Sequence, residues 1–337
     1  MYTKKYKLNY YNNSVCIINF GNEIKTEIDG IKYNIVSNHD EATIDITITS
    51  KENNDSEFFI LYSYLFIFIG YYPKLINNID LAEKYKTSKL FINPYSSFVY
   101  DITNNEFETG YKNYKSLYRK LNFHIDMFSY ATSYISEHYS QFIVVFMLQI
   151  LDGLFDKVKL TRKVKTLQDY FIWKNPDEIY ENFDEDTSNI NNLKKDVSKF
   201  NTTKYISNEK FREKIDEQMK ALLTNINTLS LSKKYDFLIS YFNENYELFK
   251  NLDISNKKCT ETRNIFSHVS NSKKIFNGLE SITNMYKFYI MIRLILLEEM
   301  ELKNKINKEY INILVKAIDD RYFKELNKEN DKNGRSD

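Results

Sequence analysis

Apolar and polar positions alternate over the first fifty residues, the period of strands with one buried face. Residues 6–10, 15–20, 31–36 and 42–48 read as short strands, and the last (ATIDITI) is the cleanest alternation in the chain. Asp29-Gly30 is a turn signal between two of them. Residues 89–93 and 98–102 are further strand candidates, bracketed by Asn93-Pro94. Between these groups lies the most apolar run, residues 58–72 (FFILYSYLFIFIGYY), bounded by Glu57 and Lys74. It is shorter than the roughly 18 residues that a membrane-spanning helix needs, so it predicts a buried helix and no membrane segment. Ser56 is placed to cap it and Gly70 to end it.

After residue 112 the alternation stops and helical spacing takes over. Residues 117–138, 140–159, 209–223, 233–250, 279–302 and 309–326 read as helices. Residues 175–201, rich in Asp, Asn, Lys and Ser, read as a loop or weak helix. The fold class is therefore α+β, with a β-rich N-terminal domain over 1–112, a helical domain over 113–326 and a flexible polar tail over 327–337. Met285, Phe288, Tyr289, Ile292, Ile295 and Leu296 form a stripe wide enough for a bundle core alone or for a core plus a dimer face.

Composition narrows the chemistry. The chain has 337 residues with only 7 Gly, and neither a dinucleotide-binding glycine pattern nor a P-loop occurs. A formal net charge of +1 removes the simplest electrostatic argument for nucleic acid, a strongly basic chain. A local basic patch is still enough to bind RNA. Cys16 and Cys259 are far apart, which predicts a reducing compartment and no disulfide framework. No apolar leader follows Met1, so a cytoplasmic location is expected. The excess of Tyr, Phe, Asn and Lys reads as core filler and codon bias.

The four histidines separate into three and one. His39 lies in a polar stretch, and His124 and His138 lie in aromatic-rich helical sequence, where surface or satisfied core positions are the expectation. None has a metal-ligand neighbour at helical spacing, so no metal and no cofactor is expected. His268 stands in Thr262-Arg263-Asn264-Ile265-Phe266-Ser267-His268. An Arg-Asn pair followed by His at this spacing arises by chance in a chain of this composition at roughly 1%.

On a helix Asn264 and His268 share a face, so the amide can hold one ring nitrogen and fix the tautomer. Arg263 can reach the same pocket and grip a phosphate. An always-charged fork beside an imidazole suits cleavage of an RNA phosphodiester by its own 2′-hydroxyl. Lys257, Lys258, Lys273 and Lys274 flank the motif and are candidate phosphate contacts, although solvated surface lysines are the commoner role.

Arg-Asn-x-x-x-His ahead of a long apolar C-terminal helix resembles the HEPN domains, and most closely their ApeA-like group of bacterial anti-phage and abortive-infection systems. Residues 142–155 (FIVVFMLQILDGLF) resemble the first core helix of that group, with Asp152 at its acidic position, where Glu is more usual. The resemblance covers about residues 120–325 as a pattern and is specific at the motif alone. It implies a metal-independent endoribonuclease that works as a homodimer with a composite cleft and leaves a 2′,3′-cyclic phosphate. Arg263 and His268 would then be catalytic, Asn264 supporting, and Asp152 a partner that orients one of them. It also implies structured RNA such as tRNA as substrate and a phage-derived trigger, with the N-terminal domain as the sensing element by analogy. The alternative is a non-catalytic HEPN subunit that binds RNA or protein within a defence or toxin–antitoxin assembly.

Overall fold

The computed structural model describes residues 1–9, 23–38, 43–53, 55–69, 74–75, 98–99, 102–134, 141–176, 192, 195–196, 209–224, 228–252, 254–264 and 275–333. The alternating N-terminal residues form an antiparallel sheet in the order β2-β3-β4-β1-β5. Its strands are β1 (Tyr2–Asn9), β2 (Glu23–Ile28), β3 (Ile31–Asn38), β4 (Thr43–Ser50) and the short β5 (Lys74–Leu75). Period two puts Leu8, Ile24, Ile35, Ile44 and Ile46 on one buried face, with Ile24 opposite Ile35 and Ile35 opposite Ile46. The β2–β3 hairpin turns at Asp29-Gly30, both at positive φ (53° and 75°), the twist that a two-residue hairpin requires.

Several elements differ from the sequence expectation. β2 lies where no strand was expected, while the candidates at 15–20 and 89–93 lie outside the described residues. Of the strand expected at 98–102, residues 100 and 101 lie outside the described residues; Val99 makes an isolated antiparallel bridge to Ile306, and Asn307 N–H donates to Phe98 O at 2.8 Å. Helix α1 (Asp55–Ile69) begins one residue before Ser56, which therefore sits inside the first turn and is not the cap. No helix among the described residues is long and apolar enough to cross a membrane.

Helix α1 lies across the buried face of the sheet, with Tyr6 stacked on Phe58 at 3.7 Å between ring centroids. Helix α2 (Asn104–Tyr134) starts thirteen residues earlier than expected and runs through residue 112. Thr103 and Glu106 close a capping box at its start, with Thr103 N–H to Glu106 Oε2 at 2.9 Å and Glu106 N–H to Thr103 Oγ1 at 3.3 Å. Phe107, Tyr111, Tyr114, Leu117, Leu121, Ile125 and Phe128 follow at three- and four-residue steps as its buried seam. One end of α2 faces the sheet: buried Glu57 of α1 accepts from Tyr33 (2.5 Å) and Tyr111 (2.8 Å), and Lys115 pairs with it at 3.0 Å. The same Lys115 reaches Asp29 of the hairpin at 3.0 Å and holds that carboxyl below its usual range.

The helical part continues with α3 (Gln141–Phe155), α4 (Leu167–Lys174), α5 (Glu209–Thr224), α6 (Leu231–Tyr246), α7 (Asn256–Asn264), α8 (Gly278–Glu299) and α9 (Lys308–Asn333). Helix α4, a second unexpected element, is set by a Thr166–Asp169 capping box. Helix α9 carries the polar tail on as helix to Asn333. Helix α8 is the core of the bundle, and the stripe from Met285 to Leu296 is buried within this one chain. Of the two roles open to that stripe, it fills the bundle core.

Arg293 of α8 is fully buried and joins the two parts of the molecule. Its guanidinium donates to Ile67 O (3.0 Å) and Phe68 O (2.6 Å), carbonyls that the last turn of α1 leaves without helical partners. Phe98 stacks beneath it at 3.9 Å. Arg293→Met keeps most of the volume but strips both carbonyls of their donor. We expect a loss of about 3 kcal/mol or more in chemical denaturation, as hydrogen bonds to a buried charge dominate the change.

Candidate active site

Buried anchors at Cys259 and Thr262 turn one side of α7 into the core and leave Arg263 at the rim. The Cys259 thiol is free and fully buried, and burial pushes its pKa up, so it acts as packing and not as a nucleophile. Thr262 Oγ1 accepts Phe276 N–H at 3.1 Å, which fastens the chain on both sides of residues 265–274. His268, Lys273 and Lys274 fall in that stretch and lie outside the described residues.

Arg263 meets Asp152 across 111 residues of sequence. Its Nη2 donates to Asp152 Oδ2 at 3.2 Å, and its Nη1 donates to Asn264 Oδ1 at 3.1 Å. The side chains of Arg263 and Asp152 are 29% and 22% exposed, so the pair is part-buried and not in the core. Arg263 Nε is buried and has no hydrogen-bond partner among the described residues. The guanidinium is therefore oriented by one carboxylate and one amide, and each Nη keeps a second N–H with no partner among the described residues. The Asn264 carbonyl is taken by Arg263, and its NH₂ group has no acceptor among the described residues.

Sequence reading missed Lys234, the second cation on Asp152. Lys234 of α6 reaches Asp152 Oδ1 at 3.1 Å and Asp156 Oδ1 at 2.8 Å. Burial opposes its charge, but the two carboxylates outweigh burial and hold the ammonium above its usual range. Asp152 and Asp156 are i and i+4 on and just beyond α3, a spacing that marks a shared acidic face. Nothing in the sequence points from that face to Lys234. The result is a chain Arg263–Asp152–Lys234–Asp156 in which formal charges cancel. Of the flanking lysines, Lys257 is exposed, while Lys258 is held by both Glu280 oxygens (2.6 and 2.7 Å) and packs 5.6 Å from the Phe276 ring centroid.

His124 lies beside this chain. Gly153, next to Asp152, lets the imidazole rest on α3: a Cβ there would stand 1.9 Å from His124 Nε2. His124 Nδ1 is buried without a hydrogen-bond partner among the described residues, so this is not the satisfied histidine expected from sequence. Burial and the nearby Lys157 charge lower its pKa, against a smaller opposing effect of Asp152. Gly153→Ala must expel the ring from its seat and should cost about 1–3 kcal/mol in unfolding free energy. His124→Ala combined with Gly153→Ala should recover much of that loss, a coupling that a double-mutant cycle measures.

Similarity to known proteins bears on these helices. Residues 145–306 match the family model described as Apea-like HEPN. The match begins inside α3, takes in Asp152, Lys234 and the Arg263-to-His268 motif, and ends just before α9. The sheet, α1 and α2 lie outside it. No curated protein and no solved structure matches the chain. With its acidic helix α3 packed directly against the Arg-bearing α7, the segment 145–306 of this α+β protein is an HEPN domain of the Apea-like group.

Proposed function

We propose that the protein is an endoribonuclease of a defence or toxin system that cleaves RNA through attack of the substrate's own 2′-hydroxyl. The observation that carries this reading is Arg263, part-exposed and oriented by Asp152 and Asn264, inside a domain of HEPN type. A phosphate oxygen can take the N–H groups that remain on the two Nη atoms of the part-exposed side chain, and the guanidinium then faces the charge that builds up on the phosphorane. His268 moves the proton, taking it from the 2′-hydroxyl or giving it to the leaving 5′-oxygen. The 2′-oxygen bonds to phosphorus as the bond to the 5′-oxygen breaks, which leaves a 2′,3′-cyclic phosphate and a 5′-hydroxyl. Because the nucleophile is internal, the mechanism assigns no step to a metal. Asp152 shares its oxygens between Arg263 and Lys234, so it positions the arginine without touching substrate.

The reading includes a homodimer in which Arg263 and His268 of both copies line one cleft, with the sheet domain as the element that senses a trigger. Burial of the Met285-to-Leu296 stripe within one copy means that the dimer face lies elsewhere.

His268→Ala should reduce cleavage about 10²–10⁴-fold. Arg263→Ala should reduce it about 10²–10³-fold. Mapping of cellular RNA ends after expression of wild type and each variant should show cyclic-phosphate ends with wild type alone, and wild-type cleavage should persist in EDTA. Equal RNA integrity and equal toxicity in all three would favour the non-catalytic subunit. Asp152→Asn should lower kcat more than it raises KM, and Asp152→Glu should restore part of the loss, as befits a positioning residue.

A further inference from the structure

A nucleic-acid cleft needs positive charge, and the Arg263–Asp152–Lys234–Asp156 chain supplies none in excess. The uncompensated charge lies one helical turn away, where α3 ends. Residues 157–165 read KVKLTRKVK, five cations and no anion, where the average composition would put about one cation in nine residues. Val158, Thr161 and Val164 are buried, and Lys157, Lys159, Arg162, Lys163 and Lys165 are exposed.

This turn is built, not loose. Thr161 Oγ1 donates to Phe155 O and to Val158 O (3.2 Å), and Arg162 and Val164 N–H close turns onto Lys159 O (3.0 Å) and Thr161 O (2.9 Å). Beneath it Glu299 of α8, 8% exposed, accepts Lys159 N–H at 2.6 Å and Leu160 N–H at 3.2 Å. Glu301 takes one of the five charges, pairing with Lys159 at 3.0 Å. Glu299 lies under Lys159 and Arg162, but the hydrogen bonds it accepts from the turn come from backbone N–H groups and leave the cationic heads to solvent. Arg162, Lys163 and Lys165 have no side-chain ion pair among the described residues, and Lys163 leans over the Phe237 and Tyr241 rings at 5.9 and 6.0 Å. Lys233 extends the surface along α6 over Tyr170 (5.8 Å), and Lys157 extends it toward α2 through Lys120 O (3.5 Å). Asp156, the residue before the turn, shares Lys234 with Asp152, so the turn adjoins the Arg263 pair.

We propose that the turn 157–165, with Lys233, is the surface that binds the RNA backbone and feeds it to Arg263. Exposed Lys and Arg on a pinned backbone bind phosphates without reading sequence, and the bound strand gives its affinity a steep salt dependence. The proposal rests on the ribonuclease reading for its substrate, and it moves the main phosphate contacts from the lysines around the motif to a turn a hundred residues earlier.

The test uses the full chain and a mixed-sequence 2′-O-methyl single-stranded RNA, which binds but cannot be cleaved by 2′-hydroxyl attack. Fluorescence anisotropy across a salt series gives the slope of log affinity against log salt. Arg162→Gln/Lys163→Gln/Lys165→Gln should weaken binding about tenfold or more at low salt and reduce the slope by about 2. Its melting temperature should be unchanged. If Lys163→Gln disturbs packing on Phe237, Arg162→Gln/Lys165→Gln gives a smaller change in the same direction. An unchanged slope, absence of RNA binding by wild type, or wild-type binding to phosphatidylserine vesicles in place of RNA overturns the proposal. The two readings fail separately. Cleavage lost in His268→Ala with an unchanged slope in the turn variants overturns the turn alone. A reduced slope with RNA ends unaffected by His268→Ala overturns the nuclease reading alone.

Discussion

Helix α8 is buried over seventeen of its twenty-two residues, and the rest of the molecule is arranged around the cost of that burial. A helix enclosed on all sides must find partners for each of its polar side chains, because an unpaired buried charge costs several kcal/mol. Each charged group on α8 is therefore a joint to a different element. Arg293 fastens the end of α1, and Lys287 meets Asp319 of α9 at 2.6 Å, with Asn251 donating to the same carboxylate at 3.1 Å. Glu298 accepts the Tyr241 and Tyr246 hydroxyls of α6 at 2.7 and 2.8 Å. Glu299 pins the basic turn, and Glu280 closes the cap of α8 while holding Lys258 of α7. For Lys287, burial lowers the pKa while Asp319 works against that shift.

The candidate site follows from this scaffold and not from local sequence. Helices α3, α6 and α7 all pack around α8 or one another, so Asp152, Lys234 and Arg263 converge at one rim. An ion pair at such a rim contributes on the order of 1 kcal/mol or less to stability. Its value is orientation: a planar fork held at both Nη atoms offers its remaining N–H groups in fixed directions. Charge balance within the cluster also explains why the positive surface has to come from an adjoining element.

Much of the fold was legible from period alone. Strands β1, β3 and β4 and helices α3, α5, α6 and α8 follow from alternation or from three- and four-residue spacing, because their apolar positions recur at the period of the element. The misses share a cause. In β2 (EIKTEI) and in the first three turns of α2, the exposed positions carry charges and the buried ones are few or aromatic, so local contrast is weak. Their identity comes from partners: β3 across the Asp29-Gly30 turn, and the Glu57–Tyr111–Lys115 cluster for α2. Phe98 and Val99, at the start of an expected strand, find their hydrogen-bonding partner in the approach to α9, two hundred residues away.

By itself the sequence determined the two-part organisation, the apolar helices and the Arg263-to-His268 motif, since these depend on residue type and near spacing. It also singled out Asp152 through family resemblance. The tertiary structure decided that Asp152 holds Arg263 and Lys234 together, that the Met285-to-Leu296 stripe is core, and that residues 157–165 present their cations to solvent. Those outcomes depend on which buried groups find partners far along the chain. Near-neighbour periodicity records which side of a residue is buried, but not what it is buried against.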